Sequence, residues 1–143
     1  MDRPEPVVDL DLRTWLRSAG VRPVKAWPAR VGRLDKWIHA TYMNTHGGKE
    51  PPPGSARSNF VAAEDGLLYV APRIGLIAVQ WPWPCLNFRA RQPVREQTTV
   101  TFSANPENPT TAHFSGVFSA RLNAGAAEQL FEIAVPRGAT IAV

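Results

Sequence analysis

The sequence predicts a mainly β domain, an antiparallel β-sandwich or jelly roll, with two short N-terminal α-helices. Proline accounts for 14 of the 143 residues, and its frequency disfavours a helical bundle because proline interrupts helices. From Asn59 onward, apolar and polar residues alternate with a period of two, as in strands with one buried face. Turn residues separate these stretches, so that about eight short strands are expected.

Two helices are predicted before the strands. Asp9 or Asp11 can cap a first helix over residues 12–19, and Gly20 is suited to its C-terminal cap. Residues 21–28 contain two prolines and should be extended. A second helix is predicted over residues 29–44, where four apolar residues share one face at helical spacing: Val31, Leu34, Ile38 and Tyr42.

The proline-rich stretch over residues 49–58 is predicted to be a stiff loop between the helices and the strands. Residues 1–58 therefore form an N-terminal helical arm and loop, and residues 59–143 form the β-sandwich. Two short helices are too few to maintain their own core. The chain is accordingly predicted to be one domain overall.

Strands are predicted in the order of the chain, with tight turns between them. Asp65-Gly66 is the dipeptide expected at the centre of a hairpin. Asn123-Ala124-Gly125 and Pro136-Arg137-Gly138 mark later turns. The predicted strands lie at residues 60–64, 67–71, 75–81, 86–90, 99–103, 113–122, 131–135 and 139–143.

Charge and cysteine content limit the classes of partner and compartment. The formal net charge is +4 at pH 7, with the Lys and Arg excess in the first two thirds of the chain, which favours an acidic partner. No apolar run reaches the ~20 residues of a membrane span, so no membrane partner is predicted. A single cysteine, Cys85, cannot form an internal disulfide, so we expect synthesis in a reducing cytosol.

No catalytic, metal or cofactor site is predicted. The sequence lacks the spacings typical of zinc sites and of phosphate-binding loops. Asp35 and His39 are four residues apart, which fits an ordinary helical ion pair as well as two metal ligands. His113 and Ser115 would share the polar face of a strand. A carbohydrate-binding or hydrolytic module with a site in a sandwich cleft is an alternative hypothesis, since the fold alone permits it.

A second alternative is nucleic-acid binding by the basic N-terminal helices. Arg30, Arg33 and Lys36 are spaced to share one helix face, and Arg13 and Arg17 lie four residues apart on the first helix. Such residues can contact a phosphate backbone. The extended segment between the helices is too long for a helix-turn-helix. A solvated helix face explains the same pattern.

The segment Trp81-Pro82-Trp83-Pro84 carries the principal functional prediction. Its prolines place it at a sheet edge or in a loop. Trp83 is then either folded over its own core or partly exposed as an anchor for a partner, and tryptophan is the commonest hot-spot residue at protein interfaces. Two proline-stiffened extended segments, residues 21–28 and 49–58, are suited to reaching a neighbour. Together these features favour a non-enzymatic structural or interaction protein. A subunit of a larger assembly is expected, such as a capsid accessory or decoration protein of a phage virion, with a protein partner or self-association.

Overall fold

The structure, a computed structural model, describes residues 12–53, 57–89, 97–106 and 115–142, without the side chain of Gln97. The described chain is mainly β, with two four-stranded sheets and three helices. The mainly β class is therefore confirmed. The number and placement of the helices differ from the prediction.

Sheet A is antiparallel and contains the first four strands in the order of the chain. These are β1 (Pro23–Pro28), β2 (Asn59–Ala63), β3 (Gly66–Ala71) and β4 (Leu76–Pro82). The β2–β3 register centres the hairpin on Glu64-Asp65, one residue earlier than predicted. Gly66 instead begins β3, where a Cβ atom would collide with the Trp81 carbonyl oxygen. The glycine is needed here for a close approach between strands.

Sheet B contains β5 (Leu86–Arg89), β6 (Gln97–Ala104), β7 (Gly116–Asn123) and β8 (Thr140–Ala142), in the order β7-β6-β5-β8. The strands β5, β6 and β7 are antiparallel, but β8 pairs with β5 in parallel. The expectation of purely antiparallel pairing is therefore wrong. Between β7 and β8 a helix carries the chain from one edge of the sheet to the other, and that crossover makes the parallel pairing sterically feasible.

The helices are α1 (residues 12–18), α2 (Gly32–Thr45) and α3 (Ala124–Ala134). The first two were predicted, and Gly20 has the positive φ of +83° expected of a helix cap. α3 replaces the strand predicted at residues 131–135 and the turn predicted at Asn123. The Asn123 side chain caps the helix by accepting a hydrogen bond from the Gly125 N–H, 2.9 Å away.

The core has two parts, one on each face of sheet A. The main part lies between sheet A, sheet B, α2 and α3, and its centre is Phe102, whose ring lies 5.3 Å from that of Trp81 and 6.1 Å from that of Phe60. In the smaller part, Leu12 and Leu16 of α1 cover the opposite face of sheet A. α1 and α2 thus pack on different faces of the same sheet.

The extended segment that was expected to reach a partner is paired within the protein itself. β1 pairs with β2 from Pro23 to Pro28, with one irregularity near its start. Its prolines are compatible with this position because β1 is an edge strand of sheet A. This corrects the hypothesis that residues 21–28 are free to bind a neighbour.

Candidate functional site

The Trp-Pro segment proposed as a partner-binding site is largely buried. Trp81 and Trp83 are 0% and 1% exposed, and the indole N–H of Trp83 donates a 2.8 Å hydrogen bond to the Ala63 carbonyl. Pro82 and Pro84 are exposed. Trp83 thus covers its own core, which corrects the hypothesis that it anchors a partner. A protein that binds this edge would meet the proline rings and not the indoles.

The predicted basic helix face is divided between separate surfaces. Arg13 and Arg17 lie on α1, on the far side of sheet A from α2. Arg30 precedes α2 and is not helical. Arg33 donates a 2.9 Å hydrogen bond to the Val117 carbonyl, with its guanidinium 5.0 Å from the centre of the Phe118 ring. Lys36 is exposed on α2, so the five residues do not form one stripe.

A different set of arginines converges on an open groove, which we call the basic groove. It has a volume of about 1030 Å³ and lies between the end of β1, the start of α2, the end of β7 and the start of α3. Three arginines from distant parts of the chain line it, together with the polar side chains of Asn123 and Gln129: Arg30, Arg57 and Arg121. All three arginines are exposed.

Two of these arginines form an isolated antiparallel bridge between the sheets. The Arg30 N–H donates to the Arg121 carbonyl at 3.1 Å, and the Arg121 N–H donates to the Arg30 carbonyl at 2.8 Å. Residues that exchange both hydrogen bonds lie directly opposite, about 5.5 Å apart at Cα, with their side chains on the same face. Like charges in this position repel and destabilise the pairing.

A carboxylate neutralises the positive charge of only one of the two bridged arginines, Arg30. Asp35 lies 3.4 Å from the Arg30 guanidinium, whereas neither Arg121 nor Arg57 forms an ion pair with any described residue. The basic groove therefore carries an excess of positive charge in the described chain. Glutamine and asparagine side chains, which line the same groove, can add neutral hydrogen bonds to an anion.

Asp35 also fixes the start of α2 to sheet A. Its Oδ1 atom accepts hydrogen bonds from the Tyr69 hydroxyl at 2.7 Å and from the Ser58 hydroxyl at 3.1 Å. The Tyr69 oxygen in turn accepts the Val31 N–H at 2.8 Å. Burial raises the pKa of Tyr69 above its ordinary value, and the adjacent Asp35 raises it further. These bonds occupy Asp35 in a structural role.

The histidines and the cysteine form no cluster in the described chain. His39 lies 3.5 Å from Glu50 rather than pairing with Asp35, and the Nδ1 atom of His46 lies 2.8 Å from the Tyr42 carbonyl. Among the described residues, no group of three metal-ligating side chains is found. The His113 hypothesis lies outside the described residues. Cys85 is a half-buried free thiol, and burial raises its pKa.

The basic groove lacks a reactive dyad among the side chains described there. Ser58 is bonded to Asp35 with no histidine between them, and His39 is directed to Glu50. No helix in the described ranges has both the length and the apolarity to cross a membrane. A scan against models of protein families finds no match for this chain, and a search of curated proteins finds no relative.

Sequence reasoning missed Arg57, Arg121, Asn123 and Gln129. Arg121 alternates with apolar residues on β7 and reads as an ordinary solvated position, while Arg57 lies in the loop before β2. The pattern contained one usable signal. Asn123 followed by an Ala-rich stretch is typical of a capped helix, and a helix there would have placed Gln129 near the end of β7.

Proposed function

We propose that the protein binds a phosphate-bearing anion in the basic groove, between the side chains of Arg30 and Arg121. The observation that carries this proposal is the like-charged, doubly hydrogen-bonded Arg30–Arg121 pair. An arrangement that weakens the fold by repulsion is explained if an anion neutralises it in the bound state.

Arginine is suited to this role because its planar guanidinium donates paired hydrogen bonds to phosphate oxygens. With both Cα atoms on one bridge, the two guanidinium groups can reach the same multiply charged anion. Arg57 adds a third cation from another side of the groove. The groove is open enough to admit a ligand larger than a single phosphate.

Isothermal titration with inorganic tripolyphosphate tests the proposal. We expect saturable binding at low salt that weakens as the salt concentration rises, and we expect Arg121→Ala to weaken it at least about 10-fold, as for loss of a charged hydrogen bond. Arg73→Ala is the matched control, since Arg73 is an exposed arginine in the Pro72–Ile74 turn and does not line the groove.

The unfolding free energy provides an independent readout. Arg121→Ala removes the repulsion with Arg30, so the variant should be at least as stable as the wild type while binding more weakly. Equal weakening by Arg121→Ala and Arg73→Ala would mean that net charge alone attracts the anion and would refute the assigned groove. Unchanged binding by Arg121→Ala would refute it as well.

The role as a non-enzymatic subunit of an assembly, such as a phage capsid accessory protein, stays a prediction. This prediction is about a protein partner and the proposed groove binds an anion, so both can hold for the same protein. Light scattering on the purified protein tests it: a strict monomer would count against self-association. The jelly-roll arrangement, with a carbohydrate-binding or hydrolytic cleft, also stays a prediction, and sugar release from an oligosaccharide would support it.

A further inference from the structure

The outer face of sheet B carries a second polar surface next to the basic groove. On β5, β6 and β7 the buried apolar side chains belong to the main core, and on β8 the half-buried Ile141 packs against it. The alternate side chains of these strands point away from that core. These outward side chains are exposed, apart from the half-buried Thr101 and Ser103. The set, which we call the outer face, comprises Asn87, Arg89, Thr99, Thr101, Ser103, Val117, Ser119, Arg121, Thr140 and Ala142.

The composition of the outer face matches the side chains that bind phosphate. Apart from Val117 and Ala142, it consists of hydroxyl, amide and guanidinium groups, and no described carboxylate lies on it. Arginine, serine, threonine and asparagine are among the side chains with which proteins contact nucleic-acid phosphates. A hollow of about 320 Å³ lies within this face, beside Asn87, Arg89 and Ser103.

Arg121 makes the outer face continuous with the basic groove, because it belongs to both. Arg121 lies opposite Thr99 on β6, and Arg89 lies opposite Thr101 on the same strand. The two arginines are therefore two strands and two residues apart, which is about 12 Å for ordinary sheet spacings. Their guanidinium groups can therefore contact different phosphates of one duplex, whose strands each carry one phosphate per ~3.4 Å of helix axis.

The described aromatic residues that line this surface are too buried to stack on bases. Those that border the groove and the hollow are Trp27, Phe88 and Phe102, which are 6%, 0% and 1% exposed. Proteins that hold single strands use exposed aromatic side chains as stacking platforms. Recognition here would rest on the phosphate backbone and would not depend on sequence.

We infer that the phosphates bound in the basic groove belong to the backbone of double-stranded nucleic acid, which continues across the outer face to Arg89. This inference rests on the proposed function, since Arg121 is shared. The outer face would thus bind double-stranded nucleic acid, and the duplex would run from the basic groove toward β5.

Fluorescence anisotropy with labelled DNA duplexes of about 6 and about 20 base pairs tests the inference across a salt series. We expect Arg89→Ala to weaken binding of the longer duplex 3- to 10-fold and to lower the salt slope by ~0.9, the value for one lost phosphate contact. The same variant should bind tripolyphosphate like the wild type. Arg73→Ala again controls for net charge.

The outcomes separate the two proposals. If Arg89→Ala and the wild type bind the longer duplex equally, duplex binding by the outer face is refuted. Tripolyphosphate binding would then still support anion binding in the basic groove. If Arg121→Ala leaves tripolyphosphate binding unchanged, the groove itself is refuted. Tighter binding of a single strand of equal length, or of heparin, than of the duplex would overturn the assignment of double-stranded nucleic acid.

Discussion

The link between Tyr69 and the start of α2 should make a measurable contribution to stability, and Tyr69→Phe tests it. The substitution keeps the buried ring and removes only the hydroxyl. That hydroxyl accepts the Val31 N–H at 2.8 Å and donates to Asp35 at 2.7 Å. Val31 is 1% exposed, so its N–H would be left without a partner and without water.

The expected loss of stability follows from the two broken hydrogen bonds, one from the Val31 N–H and one to Asp35. A buried N–H without a partner costs about 1–3 kcal/mol, and a hydrogen bond to a charged group is worth about 1.5–3 kcal/mol. Asp35 keeps its contacts with Ser58 and Arg30, and its side chain is 24% exposed, so water offsets part of the second loss. We expect Tyr69→Phe to lower the free energy of unfolding by about 2–3 kcal/mol.

Urea denaturation of the wild type, the two single variants, the double variant and one control variant measures the loss of stability and its cause. In a double-mutant cycle, Tyr69→Phe and Asp35→Ala should show a coupling of about 1–2 kcal/mol, because they remove the same hydrogen bond. Tyr42→Phe is the matched control: Tyr42 is half-buried, and its hydroxyl has no hydrogen bond to a described residue. Its loss should stay within about 0.5 kcal/mol. Equal losses for the two tyrosines, or additive behaviour of Tyr69 and Asp35, would refute the reasoning.

Three further expectations concern the same core. Burial raises the pKa of Tyr69, so the hydroxyl loses its proton at a lower pH in the unfolded state than in the folded state. Above pH ~10 the free energy of unfolding of the wild type should therefore fall by up to ~1.4 kcal/mol per pH unit relative to that of Tyr69→Phe. A stability difference between the two proteins that stays constant from pH 8 to 11 would contradict this. Gly66→Ala should cost more than ~3 kcal/mol in urea denaturation, because its Cβ meets the β4 carbonyl. Its control is Gly32→Ala, in open space at the start of α2, which should be neutral or stabilising. Trp83→Phe should lower the free energy of unfolding by about 2–3 kcal/mol through lost packing and the indole hydrogen bond; an exposed anchor would show no such loss.

Strands could be predicted from the sequence where one face of the strand is buried and the other is exposed to solvent. On β6, Val100 and Phe102 are buried while Thr99 is exposed, so the period of two in the sequence corresponds directly to the two faces of the sheet. Pairing between strands is different, because it depends on contacts between distant segments. The parallel alignment of β8 with β5 leaves no trace in the alternation of either strand.

The strand predicted at residues 131–135 shows how a short window misleads. Phe131, Ile133 and Val135 alternate with polar or small residues as in a strand, but the buried residues of α3 are Ala126, Ala127, Leu130 and Ala134. Their spacing of one, three and four residues is helical. Small alanines mark the buried face, and a search for large apolar residues therefore selects the wrong side of the helix.

The basic groove could not be predicted, because its defining property is a pairing rather than a residue type. Arg30 lies just outside a helix and Arg121 on the wet face of a strand, and each position alone is ordinary for arginine. Only the bridge between the sheets makes them neighbours. Asp35 then neutralises Arg30 from α2 and leaves Arg121 uncompensated in the described chain. Arg121 is therefore the position at which anion binding and folding should separate: its loss removes repulsion from the fold and a donor from the groove.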